Sequence, residues 1–277
     1  MPDTITHILF AKRILKEYDL DVDARSFYLG ALGPDPLFYY MLPFRCMNRA
    51  CASKGAELHK KTAFPFLKKG YGYIENITDP SKKYMLRSYL MGFLSHYILD
   101  STAHPFINDV SKGQPNGHKI LEMNIDTLLL EKYEGERSQK FDFDLYLKAD
   151  DPILDTVSNM FSYVTGIEAA CYKKSVGHMR ITCKFFRDRF GILRATASVI
   201  ESMTRKKGSL RYLFYHDNRP NRPDYLNLQK KLHKRSFPEI FENALAIYIE
   251  VQEHVLEEKY FKVDFGGKPH QPFPFQQ

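Results

Sequence analysis

Between Gly92 and Pro105 an otherwise apolar stretch carries His96, Asp100 and His104, one every fourth residue. Only a helix makes a single face of such a series, because steps of four drift by about 40° around an axis of 3.6 residues per turn. Phe93 and Tyr97 lie three residues before His96 and Asp100 and flank that face, so its burial is expected. A buried, unpaired Asp100 is costly without a cation or hydrogen-bond donors. Imidazole and carboxylate ligands at helical spacing are what a borderline ion such as zinc requires. His96 and His104 stand about 12 Å apart along a continuous helix, too far to close on one ion with bonds of about 2 Å. Asp100 lies midway and has two oxygens with which to bridge. The spacing points to a cluster of two or three ions.

Further donors lie on either side. His118 and Glu122 are one helical turn apart, and His7, Asp35 and His59 are scattered upstream. Each alone has a plain structural reading. A lone histidine on an apolar helix face is more often a satisfied core residue than a ligand. Asp35, within Gly33-Pro34-Asp35-Pro36, serves equally well as a turn residue, and His118 with Glu122 as a solvated pair. His178, His233, His254 and His270 have only the structural reading, and His216-Asp217 reads as a surface pair.

Helical periodicity dominates the chain. From Thr4, a good N-cap, the apolar residues Ile8, Leu9, Ala11, Ile14 and Leu15 recur at helical spacing. The Gly30–Pro36 segment breaks the pattern and must be a turn. A helix starting near Gly55 holds His59, and Pro65 ends or kinks it. The next runs from about Ser81 to Ala103, where Pro105 is expected to stop it just after His104. Asn116 is placed to cap a helix that opens on His118. Further amphipathic helices are expected near residues 153–165, 167–190 and 192–206. A polar loop follows over 216–225, then a last helix from Pro238 to about Tyr260. Strand-like alternation is scarce, and no composition break marks a boundary. The reading is one all-α domain over residues 1–265 with an irregular tail over 266–277.

Composition fits this. With 277 residues the chain buries enough surface to need no staples. It has no Trp but 21 Phe and 18 Tyr, so the core is expected to rest on those rings. No apolar run approaches the roughly 18 to 20 residues of a membrane span. The first residues show no secretory signal. Cys46, Cys51, Cys171 and Cys183 form no C-x-x-C pair, so free thiols and a cytoplasmic location are expected. The net charge of +7 is carried by scattered basic doublets such as Lys60-Lys61, Lys68-Lys69 and Lys230-Lys231. That spread disfavours a single nucleic-acid groove but suits an anionic substrate such as a phosphate ester.

Taken together, His7, Gly33-Pro34-Asp35-Pro36, His59, Gly92-Phe93-Leu94-Ser95-His96-x3-Asp100-x3-His104-Pro105 and His118-x3-Glu122 resemble the bacterial zinc-dependent phospholipase C family. That family shares its all-helical fold and three-zinc site with fungal single-strand nucleases. The resemblance continues more loosely into Asp224-Tyr225-Leu226-Asn227-Leu228 and Ser236-Phe237-Pro238-Glu239. It implies one zinc held by Asp35, His59, His96 and Asp100, and a second by His104, His118 and Glu122. His7 would bind a third, with Asp100 bridging it to the first. Secreted members complete that third site from a mature N-terminal Trp, which this chain lacks.

The implied activity is phosphodiester hydrolysis by metal-activated water, with Asp35 orienting or deprotonating that water. The implied substrate is a phosphodiester of phospholipid type, met through transient contact with a membrane surface. A single-strand nuclease on the same fold is the alternative enzyme, with Phe38, Tyr39 and Tyr40 available to stack on bases. A helical interaction protein with purely structural metals is the alternative outside catalysis.

Overall fold

Caps in the sequence set where the helices begin. The computed structural model describes residues 4–40, 49–113, 117–148, 151–204, 214 and 236–269. Eleven α-helices lie among them: α1 (Thr4–Glu17), α2 (Ala24–Ala31), α3 (Arg49–His59), α4 (Phe64–Glu75), α5 (Pro80–Val110), α6 (Gly117–Glu134), α7 (Asp144–Leu147), α8 (Asp151–Thr165), α9 (Ala169–Phe186), α10 (Ile192–Thr204) and α11 (Phe237–Glu253). Short 3-10 turns cover Asp35–Tyr39, Ser138–Lys140 and Glu258–Tyr260. Among the described residues the only β pairing is an isolated bridge between Val263 and Pro269. The all-α expectation holds. Asp79 caps α5 by accepting from the Ser81 and Lys82 amides, ahead of Pro80 in the first turn. Ser236 and Glu239 close a capping box on α11.

The 31-residue α5 is the spine, packed on by α1, α2, α4, α6, α8 and α11. Its closest neighbour is α2, and two glycines explain why. A Cβ on Gly30 would lie 2.0 Å from the Tyr89 carbonyl oxygen, and one on Gly92 would lie 2.1 Å from that of Phe27. Each helix thus lends the other a bare backbone, and the Gly33–Asp35 turn that follows α2 is laid directly over His96. Around this crossing the core is built from rings, as the composition suggests. Phe10, Phe27, Phe93, Tyr89, Tyr97 and Phe106 are all fully buried.

Pro105 does not stop α5, which runs on to Val110 with the proline inside it. A proline within a helix frees the carbonyl four residues back; here that is Ser101, and the turn at Gly267 lies against both the Ser101 carbonyl and the Pro105 ring. The expected helix near Gly55 begins earlier, at Arg49, and ends at His59; Pro65 instead sits in the first turn of α4. The last long helix ends at Glu253 rather than Tyr260. Of the segment expected as a tail, residues 266–269 belong to the turn that follows Phe265. Residues 270–277, Asn116, the 216–225 loop with His216 and Asp217, Asp224–Leu228, Lys230-Lys231, His233 and Cys46 lie outside the described residues.

The free-thiol expectation fails for one pair. Cys51 on α3 and Cys171 on α9 are joined by a disulfide, their Cα atoms 6.6 Å apart. Both helices pack on the Asp35–Tyr39 turn, which brings together cysteines 120 residues apart in sequence. Cys183 is buried with its sulfur 3.7 Å from Thr4 Oγ1.

Candidate metal centre

All eight candidate ligands fall into three adjoining groups: His7, His96 and Asp100; Asp35, His59 and His96; and His104, His118 and Glu122. Within each group one donor atom per residue lies within 4.8 Å of the others. Five separate segments contribute: α1, the Asp35 turn, α3, α5 and α6.

Asp100 is at the centre and fully buried. Its Oδ2 faces His96 Nε2 at 3.3 Å and His59 Nε2 at 3.8 Å. Its Oδ1 faces His7 Nε2 at 3.2 Å and His104 Nδ1 at 3.8 Å. Asp35 Oδ1 lies 3.1 Å from His59 Nε2 and 3.8 Å from His96 Nε2. The outer group is more open: His118 Nε2 meets Glu122 Oε1 at 2.8 Å, and the His104 and His118 rings stack with centroids 5.7 Å apart.

Backbone carbonyls aim the rings. His59 Nδ1 donates to the Gly55 carbonyl at 2.7 Å, His96 Nδ1 to Ala31 at 3.1 Å and His104 Nδ1 to Asp100 at 2.9 Å. Each bond fixes the tautomer and leaves Nε2 with a lone pair directed away from the bond, which is how protein scaffolds prepare imidazole for a metal. His7 stacks on His96 with centroids 4.0 Å apart. Gly33, at φ 55°, closes the opposite side, where a Cβ would fall 2.4 Å from the His96 ring.

The electrostatics follow from burial and crowding. Burial holds His7 below the ordinary imidazole value, and the neighbouring His96 adds to the drop. Burial likewise lowers His104. For His96 burial also disfavours the charge, but Asp100 and Asp35 outweigh it and the value rises. Asp100 stands well below the ordinary carboxylate range: burial opposes ionisation, and the surrounding imidazoles, His96 foremost, overcome it. Yet Asp35 Oδ1, both oxygens of Asp100 and the Nε2 atoms of His7, His59 and His96 are buried and meet no partner with hydrogen-bond geometry. Such a set of lone pairs costs free energy unless a cation sits among them. The donors present fit zinc.

Sequence reasoning missed two contributors. Asp126, fully buried on α6, accepts from the Ile5 amide at 3.2 Å and the Thr6 amide at 2.8 Å. It caps the start of α1 from another helix and so places His7. Its signal was present, since His118, Glu122 and Asp126 continue one four-residue step. Phe265 is the other. Its ring is buried against His59 and His96, with centroids 5.2 and 5.8 Å away. Tyr97 anchors this turn by donating from its hydroxyl to the Val263 carbonyl at 2.7 Å. Beside Phe265 a cavity of about 350 Å³ opens onto His59 and His104, with Phe38, Lys60, Asn108 and Lys268 along its walls. His178 lies instead against Tyr40, and His254 against Glu257 and Tyr260.

An all-α bundle whose helices converge imidazoles and carboxylates on three adjoining donor groups defines a helical protein whose centre fits metal binding. Comparison with known families narrows the class: the model of the zinc dependent phospholipase C family matches residues 6–173, a span that contains all eight donors. The chain belongs to that family. No curated protein and no solved structure matches it.

Proposed function

We propose that the chain is a zinc-dependent phosphodiester hydrolase of phospholipase C type, with His7, Asp35, His59, His96, Asp100, His104, His118 and Glu122 as ligands of two or three ions. The observation that carries this is the division of Asp100: one oxygen faces the Nε2 atoms of His96 and His59, the other the Nε2 of His7. A carboxylate so placed suits two cations side by side. Zinc bound there would lower the pKa of a water and offset negative charge on the phosphoryl oxygens.

The protein's own groups do the rest. Asp35, buried and 3.1 Å from His59 Nε2, is placed to orient the attacking water and accept its proton. Water attacks phosphorus, the bond to the alcohol oxygen breaks, and that alcohol leaves with a proton. Phe265 shields His59 and His96. Lys60 and Lys268 line the cavity and offer positive charge to a phosphate, a role no residue could be given from spacing alone. In keeping with a lipid substrate met from one side, no helix among the described residues is long and apolar enough to cross a membrane.

Elemental analysis of the purified protein, with turnover followed before and after chelation, tests the reading. Two or three zinc ions per chain are expected, with activity lost on chelation and restored by added zinc. Release of diacylglycerol and a phosphorylated head group from lipid is the expected product pattern. Mononucleotides from single-stranded nucleic acid would favour the nuclease reading, for which Phe38 at the cavity wall is the available stacking ring. Metal retained without turnover on lipid, nucleic acid or an aryl phosphodiester would leave only a structural role. Asp100→Asn is expected to cut turnover by about a hundredfold or more and to lower the zinc count. Full activity in that variant overturns the bridge.

A further inference from the structure

Eleven large apolar side chains are exposed among the described residues, and seven of them fall between Ile181 and Met203. Ile181 and Phe185 stand one turn apart on α9. Ile192, Val199 and Met203 form a single outward stripe on α10, whose opposite side is closed by buried Ala197 and Glu201. Phe190, at the joint between the two helices, is 80% exposed, and Met203 79%. Isolated exposed apolar residues need no explanation, but a concentration of this kind marks a surface meant to be covered.

The charges around it say by what. Among the described residues from Arg180 to Thr204, Arg180, Lys184, Arg187, Arg189 and Arg194 stand against two acids, and Arg180 and Lys184 also share Asp144 of α7. Both acids, Asp188 and Glu201, are buried, and Asp188 is occupied in accepting from the Leu193 and Arg194 amides. With Asp144 counted as well, the face keeps a positive excess centred on Arg187, Arg189 and Arg194, which suits anionic headgroups better than a second copy of itself. An amphipathic helix with an apolar stripe and a basic surround is the form that lies in the interface of a bilayer and is drawn to anionic headgroups. The face is also coupled to the centre, because α9 packs on the Asp35–Tyr39 turn.

We propose that the outer face of α9 and α10 docks the protein on a membrane surface carrying anionic lipid, inserting Phe190, Ile192, Val199 and Met203 among the headgroups. The proposal deepens the phospholipid reading above and rests on it for the choice of a bilayer over an acidic protein.

The test is co-sedimentation with large unilamellar vesicles of phosphatidylcholine, with and without phosphatidylglycerol. Wild-type protein is expected to partition onto the anionic vesicles and to leave them as salt is raised. The double variant Phe190→Ser with Met203→Ser, and separately Arg189→Glu, should each weaken partitioning by about tenfold or more. Both should keep wild-type melting and wild-type hydrolysis of a water-soluble phosphodiester. The proposal is overturned if the wild type ignores anionic vesicles or if the variants partition as it does. It is overturned equally if the double variant abolishes a dimer or the capture of an acidic protein while vesicles are never bound. Vesicle binding without hydrolysis of any diester would instead remove the phospholipase reading and leave the docking face standing.

Discussion

Phe265 reaches the centre from the far end of the chain, beyond the span matched by the family, and packs on two of the candidate ligands. Phe265→Ala should cost about 3–5 kcal/mol of stability as a core truncation. It should also raise the rate at which a chelator strips zinc, because His59 and His96 lose the surface that holds them in place. Phe261→Ala is the matched control: Phe261 is buried against Phe64 and Tyr97, not against the ligands. It should lower thermal stability while zinc release stays near wild type, and equal release from both variants would deny Phe265 a positioning role. Of the eight candidate donors, His96, Asp100, His104, His118 and Glu122 stood out by helical spacing, whereas His7, Asp35 and His59 entered through the family resemblance, and the fold brings all eight together. Phe265 was not legible, since one aromatic among glycines and prolines carries no periodic signal. Asp126 lay between these cases: its step was visible, but its partner on α1 is a contact only folding creates.

At the level of elements, the Gly30–Gly92 crossing decides where the Asp35 turn falls. Gly92→Ala places a methyl 2.1 Å from a backbone oxygen, which no side-chain movement relieves. About 1–3 kcal/mol of destabilisation is expected from such overpacking, read from the urea midpoint. Because the Asp35 turn follows α2, zinc affinity should fall with it. A variant with wild-type stability would mean that the helices part freely. Most long helices were legible, including the spans near 153–165 and 192–206, because apolar periodicity survives in any context; α2, α4 and the short α7 were not anticipated. Helix ends were less legible. Pro105 reads locally as a stop, yet α5 continues past it, and the deciding contact is Gly267, distant in sequence.

Across the whole molecule, long-range ties join the two halves. The Cys51–Cys171 disulfide fastens α3, which carries His59, to α9, which borders the exposed apolar face. Cys171→Ala is expected to lower stability by about 2–4 kcal/mol, measured as a drop in the denaturation midpoint. Unchanged stability would show that helix packing alone holds α3. The cysteine spacing gave no sign of this pairing, since separated thiols declare themselves only once the fold brings them together. The all-helical architecture and its ring-filled core were readable from composition and period. How its second half serves the first was not, because that service consists of contacts rather than motifs.

The candidate ligands all lie before residue 123 and their roof is residue 265, and this order has a consequence for biogenesis. A nascent chain halted before residue 265 already holds every donor but nothing to seal them in. Any zinc held there would be sealed in only after residue 265 has been made and folded over the donors, so products cut short of it would surrender their ions.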